Sequence, residues 1–344
     1  IEVKETDLGE NINQQAGEYP THIIAQATHK TKQDVSDLFA EKHQRPRLED
    51  AEKLTHEARE ILRPHFLDAD MGITGANFMI AETGSTVIVT NEGNGRMTTT
   101  MPRVHVAISS IEKCIPTLDD FALMMRLLPR SATGQVISNY VSMTTGPKRE
   151  GDHDGPEEFH VIILDVGRTR VLGSELRDAL RCIRCGACMN HCPVYQNVGG
   201  HAYGWVYPGP IGSVLTPAYN GIENAIDLPN AATLCNQCGV VCPVKIPLPD
   251  LMRKLREKQY EKDLKSKTEK WSIKLWAYLA VRPKLYSIVT RVMARAGKML
   301  GGSSGQIKTM IFAAQEWTKH RDLPTPRGRT FRDIYLNNKK VNKR

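Results

Sequence analysis

The sequence predicts an α/β domain, then a cysteine-rich metal-binding segment, then a basic helical region, and three observations predict it. Over residues 1 to about 170, short apolar runs alternate with amphipathic stretches, the pattern of strands separated by helices. Seven of the eight cysteines fall in two short runs further on, and from Pro249 onward apolar residues recur at helical spacing among many Lys and Arg.

In chain order, the first part reads as strands at His22–Ala25, Phe78–Ala81, Thr86–Thr90, Val104–Ile108 and His160–Leu164, each apolar and bounded by turn residues. Helices are expected between them at Thr31–Glu41, Glu49–Asp68 and Thr117–Leu128, each opening near a Thr or acidic residue suited to capping. Strands alternating with helices argue for a largely parallel sheet covered on both faces. A Gly/Pro-rich loop is expected from Val198 to Pro217, between the two cysteine runs. Helices then follow at Asp250–Lys267, Glu269–Val281, Pro283–Met299 and Gln306–Lys319, with a flexible break at Gly301–Gly305 and an extended strap over Leu323–Tyr335. The domain boundaries read as 1–170, 171–250 and 251–344.

The chain has 344 residues, 40% of them apolar and 24% charged, which is ordinary globular composition and excludes a disordered or collagen-like chain. The longest apolar candidate, Leu275–Val281, is seven residues long, far short of the roughly 20 needed to span a bilayer. The net charge of +8 is unevenly spread. Residues 245–344 hold 25 basic and 8 acidic side chains, net +17, against 21 and 30, net −9, before them. A basic tail on an acidic body suggests an anionic contact.

The first cysteine run, Cys182-Ile-Arg-Cys185-Gly-Ala-Cys188-Met-Asn-His-Cys192-Pro193, has the spacing C-x2-C-x2-C-x3-C-P. Three thiolates on one tight turn can hold three corners of an iron–sulfur cube, while the fourth ligates a second cube. Zinc sites usually pair two C-x2-C knuckles and need neither the third Cys nor the C-P ending. The second run, Cys235-Asn-Gln-Cys238-Gly-Val-Val-Cys242-Pro243, repeats the last three positions, with Ala232 where the first Cys should stand. With ligands exchanged between motifs, the first cluster takes Cys182, Cys185, Cys188 and Cys242. The second takes Cys192, Cys235 and Cys238 and is one ligand short. The first is expected to be a 4Fe–4S cluster and the second 4Fe–4S or 3Fe–4S; Cys114 and His201 are the candidates for a fourth ligand. Closely spaced thiols in a long chain with a conventional core also point to a reducing, cytoplasmic setting.

Longer stretches around these motifs are similar to one family. Leu180–Cys188, Gly199-Gly200-His201-Ala202-Tyr203-Gly204, Tyr207-Pro208-Gly209-Pro210-Ile211-Gly212, Gly72–Phe78, Leu128–Gln135 and Leu323–Phe331 resemble the LutB iron–sulfur subunits of L-lactate utilization (LutABC) systems, over essentially the whole chain. The resemblance implies a CoA-transferase-like LUD domain, an α-helical dicluster ferredoxin domain and a helical C-terminal region. It implies LutA-like and LutC-like partner subunits and the oxidation of L-lactate to pyruvate. It further implies residues ahead of Ile1, so that the first strands of the LUD sheet are expected to be missing.

On this reading the chain is an electron-transfer subunit, relaying single electrons from a partner's oxidation site to an acceptor such as a quinone. The alternatives are a self-contained 2-hydroxy-acid oxidoreductase with an open iron site, and an iron–sulfur sensor. Two Gly-rich turns, Glu82-Thr83-Gly84 and Asn91-Glu92-Gly93-Asn94-Gly95-Arg96, flank one strand and form a candidate anion-binding loop, with a plain hairpin corner as the competing reading. Neither matches a dinucleotide fingerprint or a P-loop. Residues 271–286, with Trp271, Leu275, Tyr278 and Leu279 at helical spacing beside Lys270, Lys274 and Arg282, fit either a helix packed on the ferredoxin domain or a peripheral contact at the inner face of a membrane. The tail shows no recognition fold for nucleic acid.

Overall fold

The computed structural model describes residues 1–310 and 315–341. The chain forms two compact units, Ile1–Leu264 and Lys265–Arg344.

The first unit begins with three helices, α1 (Leu8–Ala16), α2 (Lys32–His43) and α3 (Ala51–Asp68). Each starts where a side chain takes the orphan N–H groups of its first turn. Asp7 caps α1, the Thr31/Asp34 capping box opens α2 and Asp50 caps α3. Ile12, Phe39, Leu54 and Ala58 bury together between them.

The strands divide into two sheets where the sequence suggested one. β1 (Met71–Gly75), β4 (Val104–Ser110) and β7 (Glu158–Leu164) form a parallel sheet in the order β1-β4-β7. β2 (Phe78–Ile80), β3 (Ser85–Val89), β5 (Cys114–Ile115) and β6 (Val141–Thr144) form a second, mixed sheet in the order β5-β2-β3-β6. The tight turn at Ala81–Gly84 folds β3 back antiparallel onto β2, which takes both strands out of the parallel ladder. Two helices accompany the sheets: α4 (Asn94–Thr100), and α5 (Leu118–Thr133), opened by a Thr117/Asp120 capping box. The expected cover on both faces is also absent at β7, where Val161, Ile162 and Ile163 are exposed although successive residues face opposite ways.

The expected strand His22–Ala25 is a series of bends. The Nδ1 of His22 accepts the N–H groups of Ile24 and Ala25 at 3.1 Å each, so a local side chain satisfies donors that a strand would offer to a neighbour.

The cysteine segment is built from α6 (Arg168–Leu172), the single turns α7 (Ala187–Asn190) and α10 (Gln237–Val240), α8 (Pro193–Val198), α9 (Gly209–Asn220) and α11 (Leu248–Glu261). The stretch expected to be a loop up to Pro217 contains α9, with every residue from Gly209 to Pro217 buried. Ile211, Val214 and Leu215 pack against Leu248, Leu251, Met252 and Leu255 of α11, with Cys238 and Cys242 in the same core. The helix fits because its small residues let backbone approach backbone: a Cβ at Gly212 would stand 1.7 Å from the Tyr207 carbonyl oxygen.

The second unit holds α12 (Lys267–Ala280) and α13 (Pro283–Leu300), neither with a buried residue. The helix expected through Lys267 stops at Glu261, and Asp263 then turns left-handed. The helix expected over Gln306–Lys319 is replaced by β8 (Gln306–Ile307), which pairs antiparallel with β9 (Leu323–Pro324), and by a short α14 (Gln315–Thr318). Residues 311–314 of that expected helix lie outside the described residues. The expected strap ends in α15 (Phe331–Val341), because Thr330 accepts the Asp333 N–H at 3.2 Å and starts a helix there. Asp333 in turn receives three hydrogen bonds from Arg291 of α13. Among the described residues no helix is long and apolar enough to cross a membrane.

Replacing Gly212 by Ala is expected to lower stability by about 1–3 kcal/mol, the usual cost of overpacking. A Tm in thermal denaturation unchanged from the parent chain would contradict this account of α9.

Candidate metal centre

The two cysteine motifs adopt one backbone pattern twice, fifty positions apart in the numbering. Arg184 and Leu234, each just before a Cys, are left-handed with φ of 61° and 55°. Gly186 and Asn236, each just after that Cys, are left-handed with φ 72° and ψ −6°, and φ 68° and ψ −2°. Glycine and asparagine adopt this conformation at least cost. A single helical turn follows in both copies, and Pro193 and Pro243 close them. The Ala187 N–H lies against the sulfur of Cys185, as the Gln237 N–H lies against Cys235. The residue that matches Cys182 in the second copy is Ala232, whose carbonyl accepts from Arg256 at 3.1 Å.

Cys182, Cys185, Cys188 and Cys242 line one cavity, walled otherwise by Ile23, Ile183, Ile211, Val244, Ile246 and Leu248. Burial is the largest influence on the Cys185 and Cys188 thiols and pushes both up, Cys188 strongly; the sulfurs of neighbouring cysteines add to it. Donors nevertheless face these sulfurs. The Ile246 N–H donates to Cys242 Sγ at 3.3 Å, and the Ile211 N–H lies against Cys188. Cys238, in the same buried core, is pushed up to about 11, by burial first and then by Cys192 and Cys235. Cys235 is exposed and shifts the other way, lowered chiefly by the Gln237 N–H.

The residues fit an iron–sulfur group better than a single ion. Zinc needs its sulfurs about 2.3 Å from one point. A cube spreads its iron over several corners and asks for sulfurs ranged around a cavity wall. Two buried donors point the same way. Arg184 Nη1 beside the first cavity makes no well-formed hydrogen bond among the described residues, and the Tyr203 hydroxyl faces the Cys192 sulfur, so each presents a donor to a group of sulfurs.

The candidates for a fourth ligand to the second group have these surroundings. Cys114 is exposed on β5, paired with Met79. His201 is held by Nε2 on the Tyr19 carbonyl at 2.7 Å, with its ring against His29. The Gly-rich turns do not meet. Glu82, Thr83 and Gly84 lie at one end of β3 and Asn91, Glu92, Gly93, Asn94 and Arg96 beyond the other, about 16 Å apart at strand rise. Their carboxylates serve helices instead: Glu82 accepts the Leu118 N–H of α5 at 3.0 Å and Glu92 the Leu8 N–H of α1 at 2.9 Å.

Family models agree with this arrangement. They match a LUD domain over residues 1–164, a 4Fe-4S dicluster domain over 178–246 and a lactate utilisation protein B C-terminal region over 251–340. Lactate utilization protein B of Bacillus licheniformis is 43% identical over 341 residues, covering 98% of this chain and 71% of that protein. The chain belongs to the lactate utilization protein B family. Its Bacillus subtilis member is 44% identical over 336 residues, 97% of this chain and 70% of that protein. An uncharacterized electron transport protein of Escherichia coli, YkgF, is 43% identical with the same coverage. The crystal structure of a DUF162 family protein from Deinococcus radiodurans covers 29% of this chain and 56% of that one at 20% identity, with a TM-score of 0.23, too slight a likeness to add to the assignment.

The sequence did not point to Tyr203 as a neighbour of Cys192, nor to the loop around His22 as a cover of the first motif. His22 sits against Gly186, where a Cβ would meet its ring at 3.0 Å. Its Nδ1 accepts two N–H groups, so its proton resides on Nε2, which donates to Asn190 Oδ1 at 3.1 Å. No sequence signal marks a contact between residues so far apart.

In the metal-free chain Cys235 is expected to react with iodoacetamide roughly ten times faster than Cys238 at pH 7.5, since its thiolate is both favoured and exposed. Mass spectrometry of the labelled peptides reads this, and equal rates would refute the opposed environments described.

Proposed function

We propose that this chain is the iron–sulfur electron-transfer subunit of a complex that oxidises L-lactate to pyruvate. The observation that carries the reading is the convergence of Cys182, Cys185, Cys188 and Cys242, from two distant motifs, on one apolar cavity. Those four residues hold the first cluster, 4Fe–4S, and Cys192, Cys235 and Cys238 hold the second, 4Fe–4S or 3Fe–4S. When bound, such clusters supply one-electron carriers whose potentials follow burial and hydrogen bonds to sulfur. The chain's own contribution is to keep the sulfurs dry and to place N–H donors on them. Lactate oxidation removes a pair of electrons from an alcohol carbon, which calls for a two-electron acceptor in a partner. LutA-like and LutC-like subunits are the proposed partners, and the names of the relatives support that setting. The domains fall at 1–170, 171–250 and 251–344.

A second reading, a self-contained 2-hydroxy-acid oxidoreductase, is favoured by the incomplete ligand set at Ala232 and predicts that lactate alone reduces the isolated chain. Iron and sulfide per chain, with EPR of oxidised and dithionite-reduced anaerobic protein, test both. About eight irons with a signal only on reduction mean two four-iron clusters, and about seven with a signal already present when oxidised mean a three-iron second cluster. Stoichiometric zinc would sink the proposal. If the second cluster is three-iron, Ala232→Cys is expected to raise the count by about one iron per chain and to remove the oxidised-state signal.

The acceptor is proposed to be a quinone reached from a membrane surface. Residues 265–344 carry 19 Lys and Arg against 4 Asp and Glu. Trp271, Trp276 and Val281 are 64%, 63% and 74% exposed, with Tyr278 and Tyr286 also outside. Interfacial aromatics beside cations suit an anionic headgroup region. The full chain is expected to sediment with phosphatidylglycerol-rich vesicles at least tenfold more than with phosphatidylcholine vesicles, and 0.5 M salt or Trp271→Ala/Trp276→Ala should largely abolish it. Equal recovery with both vesicle types would rule the contact out.

A further inference from the structure

The first cysteine loop carries an arginine that its turn geometry does not require. Arg184 stands between Cys182 and Cys185, in the left-handed region, and lines the first cavity. Its side chain is 11% exposed, with Nη2 3.2 Å from Glu112 Oε1. Its guanidinium sits 4.3 Å from the centre of the Tyr207 ring. Glu112, 6% exposed, also faces Arg168, whose Nε lies 2.8 Å from Oε2 and whose guanidinium covers the Tyr219 ring at 4.7 Å. Lys113 is nearby, its Nζ donating to the Ala76 carbonyl at 2.6 Å. Two guanidinium groups therefore share one carboxylate away from water, with the Lys113 ammonium close enough to feel all three. Buried charge of one sign demands a counter-charge, and an iron–sulfur group with four thiolates is anionic. Arg184 Nη1 makes no well-formed hydrogen bond among the described residues, the Tyr219 hydroxyl being its nearest polar company, which leaves a donor for such a group.

We propose that Arg184, clamped by Glu112, is the positioning residue that sets the reduction potential of the first cluster. The guanidinium supplies a fixed positive field and a hydrogen-bond donor, and Glu112 limits how much of that field reaches the sulfurs. Because Glu112 follows β4 of the LUD domain, the potential is fixed across the contact between the LUD domain and the cysteine segment. The inference rests on the reading that Cys182, Cys185, Cys188 and Cys242 hold a cluster.

The test is a potentiometric EPR titration of the full chain, with iron counted on each sample. Removing the cation in Arg184→Gln is expected to lower the ratio of reduced to oxidised first cluster at a fixed potential roughly tenfold, about 59 mV for one electron. Removing the anion in Glu112→Gln should shift the ratio the opposite way, and Arg184→Lys, which keeps the charge, should fall between Arg184→Gln and the parent. A merely structural role cannot give shifts of opposite sign. Should Glu112→Gln fail to load iron, Arg168→Gln replaces it and is expected to shift in the direction of Arg184→Gln by less. Shifts of the same sign in Arg184→Gln and Glu112→Gln, or none, overturn the proposal while leaving the electron-transfer reading intact. A parent chain without clusters overturns both.

Discussion

One closure governs the first unit: Cys242, at the far end of the second motif, must return to the cavity that Cys182, Cys185 and Cys188 line. Bringing such distant residues together costs chain entropy before any ligand rewards it. The apolar core meets that cost. α9 runs through the middle with small residues that admit close neighbours, and α11 seals it with Leu248, Leu251, Met252 and Leu255. The Cys238 and Cys242 sulfurs are part of this core rather than suspended from a loop, so burial and metal binding draw on the same residues.

The second consequence of closure is electrostatic. A cavity without water strengthens every charge beside it. The protein surrounds its first group of sulfurs with backbone N–H groups, a neutral His22 and a guanidinium that shares its carboxylate with Arg168. The second group has less of this. Cys235 is exposed, and Ala232 stands where a fourth sulfur would be expected. The two halves of the repeat thus share a backbone and differ in their surroundings.

Much of this was legible because it is local. Cysteine spacing reports the turn directly, and capping residues at Thr31, Asp50 and Thr117 mark the starts of their helices. What escaped depended on distant partners. β1 and β6 contain Gly, Ser and Thr and become strands through their neighbours. The α9 region reads as loop because Gly and Pro are poor helix formers in water, yet they suit a helix wrapped by other backbone. His22–Ala25 has strand-like composition, but the His22 ring intercepts its donors. Glu82 and Glu92 stand near glycine turns in sequence, and each accepts the first N–H of a helix distant in the chain, a contact that no local pattern marks.

Cys185 and Ala187 share a buried cluster with Phe78, Ile80, Val87 and Leu128 of the LUD domain. The mixed sheet therefore rests part of its core on the loop that carries the first sulfurs. Whatever tightens that loop also tightens the sheet, by the linkage that lets a ligand raise the stability of everything folded with its site. Filling the first loop and firming the sheet beside it are therefore one event, and a chain whose first loop is empty has a looser neighbouring domain as well.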